Sequence, residues 1–333
     1  MKKGDTPLIS GRKIWLISLA VSAGTIAVLL NITDISSITE RLKNANLLFI
    51  GLFIILDFCV GFCRAVRLWM LLRITQSVSM IACLRLTLIH QAVFVIAPSG
   101  SGDLAFPILG KMIAKSNIKE AISVLISLRL QDLSILIGIA GFSCFYIFGL
   151  NSPAYDIVLA ICWLTVGFML TLYATKLNNR IGRLLNFIKR KFDNLRKVTS
   201  KKDTHETVQV ETTLPRSEIY ISAAMTLLSW VLTGVMVWSL FMGFNFELSW
   251  QMVFYIVAGL NLVGALAVTT IGGLGVTELG LAGLLITLSV PSSIAVPIAM
   301  VARPTLLVTT VTIGIAALIG VGRNSSSPNR NSE

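Results

Sequence analysis

Long apolar runs alternate along this chain with short basic stretches. Runs of near-membrane length and few charges occur at about 14–31, 47–63, 80–97, 121–149, 157–175, 219–243, 252–271 and 294–320. A bilayer core takes an α-helix of about 20 predominantly apolar residues, so each run predicts a membrane segment. Two shorter apolar pieces, at about 104–115 and 279–290, cannot span alone and predict half-helices that re-enter the membrane. The expected fold class is therefore all-α: a polytopic membrane protein with about eight membrane segments and two re-entrant half-helices.

The polar positions set the orientation. Segments 1–13, 64–79, 111–119 and 176–202 are rich in Lys and Arg, whereas 150–156, 244–251 and 291–293 contain neither. Basic loops stay cytoplasmic, so both termini are expected inside a plasma or inner membrane. The organisation follows: a cytoplasmic N-terminus at 1–13, a membrane domain at 14–320, and a polar, disordered cytoplasmic tail at 321–333. The halves, about 14–175 and 219–320, are joined by a basic cytoplasmic linker at 176–218. Within that linker, 176–202 spaces its apolar residues helically, as a cationic helix on an anionic membrane surface would. Residues 203–218 read as flexible. Residues 14–30 follow Lys2, Lys3, Arg12 and Lys13 as a signal peptide would, but no clear cleavage site follows and more spans come after.

Composition narrows the function. Of 333 residues, 55% are hydrophobic and 13% charged, against about 25% charged in soluble domains. The net charge of +12 sits in loops between apolar segments, which argues for topology and against nucleic acid as a partner. No G-x-x-x-x-G-K-[ST] loop is present, so no nucleotide energy source is expected, and no other cofactor. The five cysteines form no CxxC pair or ligand cluster and read as small core residues.

Two glycine-rich breaks carry the strongest internal pattern. Pro98-Ser99-Gly100-Ser101-Gly102-Asp103-Leu104 and Thr270-Ile271-Gly272-Gly273-Leu274-Gly275-Val276-Thr277-Glu278 each follow an apolar span and precede a short apolar piece. Asp103 precedes Arg129 by 26 residues and Glu278 precedes Arg303 by 25. Matched interruptions in two halves mark a transporter site, and the charge pattern sets the two breaks on opposite sides, as an inverted repeat requires.

Charges at membrane depth are costly and are functional by default. Asp57, Arg85, Asp103, Arg129, Asp132, Glu278 and Arg303 fall inside apolar runs, with Arg64 and Arg67 at a membrane edge. Arg129 is expected to pair with Asp103 or Glu278 and Arg303 with the other. Arg129 and Asp132, three apart, are also placed to pair locally. His90 reads as a hydrogen-bonded packing residue. Arginines facing a cavity suit a lipid phosphate, because the planar guanidinium binds two oxygens at once. Glycine turns expose backbone N–H groups for the same purpose.

Phe62-Cys63-Arg64-Ala65-Val66-Arg67-Leu68-Trp69, the Pro98–Leu104 break, the Arg129…Asp132 helix and the Ile271–Glu278 stretch together resemble the lysylphosphatidylglycerol synthase transmembrane-region family over about 14–320. The resemblance implies a flippase-like fold with re-entrant helices. By position it implies a substrate site at Arg64, Arg67, Gly102, Asp103, Arg129, Gly272, Gly273, Gly275, Glu278 and Arg303, and Gly100 and Asp132 complete the expected substrate-binding set. This chain has Ser and Gly where the family often has a basic residue in the first break, and Thr269-Thr270 where it often has Pro before the second. The soluble aminoacyl-transferring domain of bifunctional members is not seen after the last span, so synthesis of the aminoacyl lipid is not expected.

The function expected is movement of a phosphate-bearing lipid, a phospholipid or a polyprenyl-linked one, between leaflets, with no enzymatic step. Its partners would be lipids with anionic or phosphate-bearing headgroups. One alternative is a scaffold for a membrane glycosyltransferase. Another is an intramembrane aspartyl protease: Gly100-Ser101-Gly102-Asp103 fits a GxGD motif, and Asp57 or Asp132 could supply the second carboxylate. The companion motifs of such proteases, Tyr-Asp in an earlier span and Pro-Ala-Leu in a later one, are missing.

Overall fold

The structure is a computed structural model that describes residues 19, 22–29, 31, 35–73, 76–97, 101–148, 216–266 and 273–325. The expected segment at 157–175, the basic helix at 176–202, part of the first span and most of the tail lie outside the described residues. Every regular element among the described residues is helical. After a helical run at 22–29, the elements are α1 (Ile35–Lys43), α2 (Leu47–Leu72), α3 (Met80–Ile96), α4 (Ser101–Ile113) and α5 (Ile118–Phe148). They continue with α6 (Arg216–Gly243), α7 (Trp250–Leu266), α8 (Val276–Thr287) and α9 (Ser292–Ser325).

Among the described residues, four helices hold apolar stretches long enough to cross a bilayer: Leu47–Leu72, Ile118–Ser143, Tyr220–Gly243 and Ser292–Ile319. The helices α3 and α7 are apolar but only 17 residues long. The two short apolar pieces are short helices, α4 with 13 residues and α8 with 12. Each begins about three residues before its expected start, because each takes the end of its glycine break into its first turn.

One boundary differs in a way that matters. The apolar run at 47–63 was expected to end where Arg64 and Arg67 begin a cytoplasmic segment. The helix α2 instead continues to Leu72. Arg67 is only 2% exposed and finds its counter-charge inside the protein, so the two arginines interrupt the hydropathy of the sequence without ending the helix.

The helices satisfy their own polar groups, as a lipid environment requires. Asn46 Oδ1 accepts from the Leu48 N–H, Ser79 Oγ from Ala82 and Asn117 Oδ1 from Lys119, at the starts of α2, α3 and α5. Thr87, Ser127, Ser143, Thr226 and Thr305 each donate to the carbonyl four residues back.

The chain divides into two compact units. The first comprises residues 1–61, 88–105 and 232–333. In it α8 packs against both α7 and α9, and α1 packs against α9. A side chain at Gly259 would come within 2.6 Å of Leu284, and one at Gly280 within 2.6 Å of Val263. Small residues therefore let α7 and α8 approach closely, the usual device where lipid supplies no hydrophobic drive between helices. The Asn46 N–H donates to the Gly243 carbonyl and Asn245 Nδ2 to the Asn44 carbonyl, tying the start of α2 to the end of α6.

The second unit comprises residues 62–87 and 106–231. Its apolar core is Leu68, Leu72, Cys83, Leu86, Phe106, Ala114 and Ala121. Cys63 is buried as well, and Cys59, in the first unit, is half-buried. None of the three is in a disulfide, as expected of small packing residues.

Candidate functional site

In the first unit the second glycine break turns directly into α8. Gly273 and Gly275 have φ of 70° and 84°, the left-handed region that side chains with a Cβ enter at a cost. Gly275 also has no room for a Cβ, which would stand 2.6 Å from Thr25. The Gly275 N–H donates to Glu278 Oε2 at 2.6 Å. That is the returning half of a capping box, a carboxylate satisfying a donor at its own helix start. Thr277 Oγ1 lies 2.8 Å from the Gly273 carbonyl and 3.2 Å from Glu278 Oε2.

Arg303, one helix along on α9, donates from Nε to the same Thr277 hydroxyl at 3.2 Å. Thr277 thus sits between the acid and the arginine, and the two charges attract each other across it. Glu278 is 2% exposed, and its Oε1 has no hydrogen-bond partner among the described residues. The two terminal amino groups of Arg303 meet no acceptor among the described residues. Pro297 and Pro304 lie in α9 on either side of this contact, each removing one backbone donor from the helix ladder.

The first break is visible from Gly102 onward. A Cβ at Gly102 would fall 2.6 Å from the Phe94 backbone, so α4 starts hard against α3. Across that approach His90 Nε2 lies 3.4 Å from Asp103 Oδ1. Asp103 therefore has a histidine of α3 beside it. In the same unit, the Thr310 hydroxyl donates to Asp57 Oδ2 at 3.1 Å.

The second unit holds a separate polar cluster. Arg67 grips Asp132 with both amino groups, Nη1 to Oδ1 at 2.7 Å and Nη2 to Oδ2 at 3.0 Å. Arg67 Nη1 also donates to Thr226, and Trp230 Nε1 donates to Asp132 Oδ1 at 3.3 Å. Gln131, fully buried, accepts from Ser222 and Thr226. The two-pronged partner of Asp132 is thus Arg67, a pairing the sequence did not suggest, and the charges of Arg64 and Arg129 attract it as well. The reason is geometric: Arg67 reaches across from α2 with its guanidinium plane matched to the carboxylate, which a neighbour on the same helix cannot easily offer.

Of the twelve candidate residues, the structure groups Gly273, Gly275, Glu278 and Arg303 at one turn. Arg67 and Asp132 meet at a second place, with Arg64 and Arg129 near enough to act electrostatically. Asp103 and Gly102 lie at a third. Gly100 and Gly272 lie outside the described residues. Among the described residues no cluster of His, Cys, Asp and Glu could hold a metal ion. Thr277, Thr226, Gln131, Ser222 and Trp230 were not anticipated. A signal for part of this set was present: Ser222, Thr226, Ser229 and Thr233 recur on one face of α6 at spacings of four, three and four, and all are buried.

The comparisons with known proteins bear on the whole of this arrangement. The family described as lysylphosphatidylglycerol synthase TM region matches residues 15–314. The chain belongs to that family. The match takes in both glycine breaks and all twelve candidate residues. This member of the lysylphosphatidylglycerol synthase TM-region family is accordingly a multi-pass membrane protein related to membrane lipid. A search of curated proteins gives no match.

Proposed function

We propose that this protein moves a phosphate-bearing lipid, a phospholipid or a polyprenyl-linked lipid, between the leaflets of the plasma or inner membrane, with both termini cytoplasmic. No bond is made or broken in this function. Segments α4 and α8 act as the two re-entrant half-helices, and lipids are the partners. The observation that carries the reading is Arg303. A charged side chain at the bilayer centre costs about 3 kcal/mol on insertion scales. Arg303 nevertheless lies in an apolar helix with its Nε on Thr277 and its two terminal amino groups without an acceptor among the described residues. That open fork matches two oxygens of a phosphate, and the acyl or prenyl tail stays in the bilayer while the headgroup is held.

The test is movement of fluorescent phospholipid and polyprenyl-phosphate analogues across reconstituted vesicles. Arg303→Ala should slow it strongly. Arg303→Lys, which keeps the charge and loses the fork, should slow it less. Arg129→Ala is the companion variant. If both alanine variants move every tested lipid at the wild-type rate, the phosphate reading is wrong. A scaffold for a glycosyltransferase predicts instead that the wild-type protein moves none of them.

A further inference from the structure

Glu278 presents a chemical demand that a phosphate alone cannot meet. Its Oε2 is occupied by the Gly275 N–H. Its Oε1 is buried without a partner among the described residues, in a residue only 2% exposed. A carboxylate oxygen accepts hydrogen bonds and does not donate them. Leaving such an acceptor unmet costs more than an ordinary hydrogen bond contributes, so an orphan of this kind in a native site calls for an explanation. Phosphodiester oxygens are acceptors too and would repel it.

We propose that Glu278 Oε1 is a specificity determinant: the headgroup that binds here must carry a hydrogen-bond donor, an ammonium N–H or a hydroxyl O–H, beside the phosphate that Arg303 takes. The inference rests on the lipid-binding reading of Arg303. Three features of the site support it. Thr277 bridges the acid and the arginine through one hydroxyl, 3.2 Å from each, so an acceptor and a donor fork lie one side chain apart. The backbone that holds Glu278 is fixed by two left-handed glycines, so the carboxylate is prearranged. All the groups involved lie in one compact unit. A headgroup with phosphate and donor a few bonds apart satisfies both charges together. One with phosphate alone leaves Glu278 Oε1 buried and unmet.

Two pairs of lipids isolate the donor while holding net charge constant. Phosphatidylethanolamine and phosphatidylcholine are both zwitterionic, and only the first has N–H donors. Phosphatidylglycerol and phosphatidylpropanol are both anionic, and only the first has free hydroxyls. Binding to the purified full-length protein is measured by native mass spectrometry, and movement is measured separately in vesicles. In at least one pair the donor-bearing lipid should bind about tenfold tighter, and the pair that shows it identifies ammonium or hydroxyl as the donor. Glu278→Gln keeps a carbonyl oxygen for the Gly275 N–H and puts an amide NH2 where Oε1 stood, so the preference should vanish.

Equal binding within both pairs by the wild-type protein overturns the inference, and so does a preference that persists in Glu278→Gln. Should that variant fail to fold, the wild-type pairs decide alone. A donor preference in binding with no lipid moved would leave the inference standing and remove the transport reading. Movement without preference in either pair would do the reverse.

Discussion

Arg67 and Asp132, 65 residues apart in sequence, form a two-pronged ion pair with bonds of 2.7 and 3.0 Å in the interior of one unit. Trp230 Nε1 adds a third donor to Asp132, and the Thr226 hydroxyl accepts from Arg67. The pair explains how α2 carries Arg67 through the protein interior. Its geometry is that of a closed unit: the carboxylate accepts three donors, and both terminal amino groups of Arg67 are engaged, with Nε lacking a partner among the described residues. That contrasts with Arg303, whose fork is open.

A closed buried pair predicts an asymmetry under mutation. Removing one partner strands a charge and should cost about 3–5 kcal/mol, whereas replacing both by apolar residues of similar volume is often close to neutral. Arg67→Met and Asp132→Leu should each lower the thermal unfolding midpoint in detergent markedly, and the double variant should recover much of the loss. Losses that simply add in the double variant would show that the two side chains do not act as a pair.

How much of this was legible in the sequence follows from what hydropathy can see. The eight described helices that overlap or adjoin expected segments were readable because apolar length and period are local properties. The continuation of α2 through Arg64 and Arg67 was not, because a charge reads as a loop unless its partner is known, and Asp132 lies on another helix. The glycine break at 270–278 was readable as a turn, and its φ values confirm the backbone demand. The role of Thr277 was hidden: threonines at helical spacing mostly bond their own helix, as Thr87 and Thr305 do here. Which one also receives an arginine depends on packing. The approach of Asp103 to His90 was hidden for the same reason: the two lie on different helices, α4 and α3, and only packing brings them together.

Gly275 should tolerate no side chain. Its φ of 84° costs a residue with a Cβ roughly 1–2 kcal/mol, and the 2.6 Å approach to Thr25 adds a clash. Gly275→Ala should therefore reduce stability by at least that amount and displace the Gly275 N–H from Glu278. Gly264, where a Cβ would meet nothing within 4 Å, is the control: Gly264→Ala should be nearly silent in the same thermal unfolding assay.

The linker at 176–218 should be cytoplasmic. It contains the largest Lys and Arg excess of the chain, and basic loops resist translocation. A Ser200→Cys variant, in a background with the native cysteines replaced, should resist an impermeant maleimide added to intact cells and react once the cells are opened. Ready labelling from outside would invert the topology and move both termini with it.

The Thr277 hydroxyl should matter more to lipid movement than to folding. It joins Arg303 Nε to Glu278 and the Gly273 carbonyl, so it sets the direction in which the guanidinium fork points. It does not touch the fork's free amino groups, and therefore acts on a lipid only through the position of Arg303. Thr277→Val keeps the shape and removes the hydroxyl. It leaves Arg303 Nε without its acceptor, a loss of about 1–3 kcal/mol for a buried donor, and lets the fork relax toward Glu278 directly. Such a collapse would pair the two charges and close the open site. Lipid movement in vesicles should then fall by about tenfold or more, with apparent lipid affinity falling alongside. Thr277→Ser retains the hydroxyl and should restore most of the activity that valine removes. A purely structural threonine predicts a different pattern, in which both variants lose stability together and the surviving folded protein moves lipid at the wild-type rate per molecule. Measuring folded fraction by size-exclusion fluorescence beside the vesicle assay separates the two outcomes.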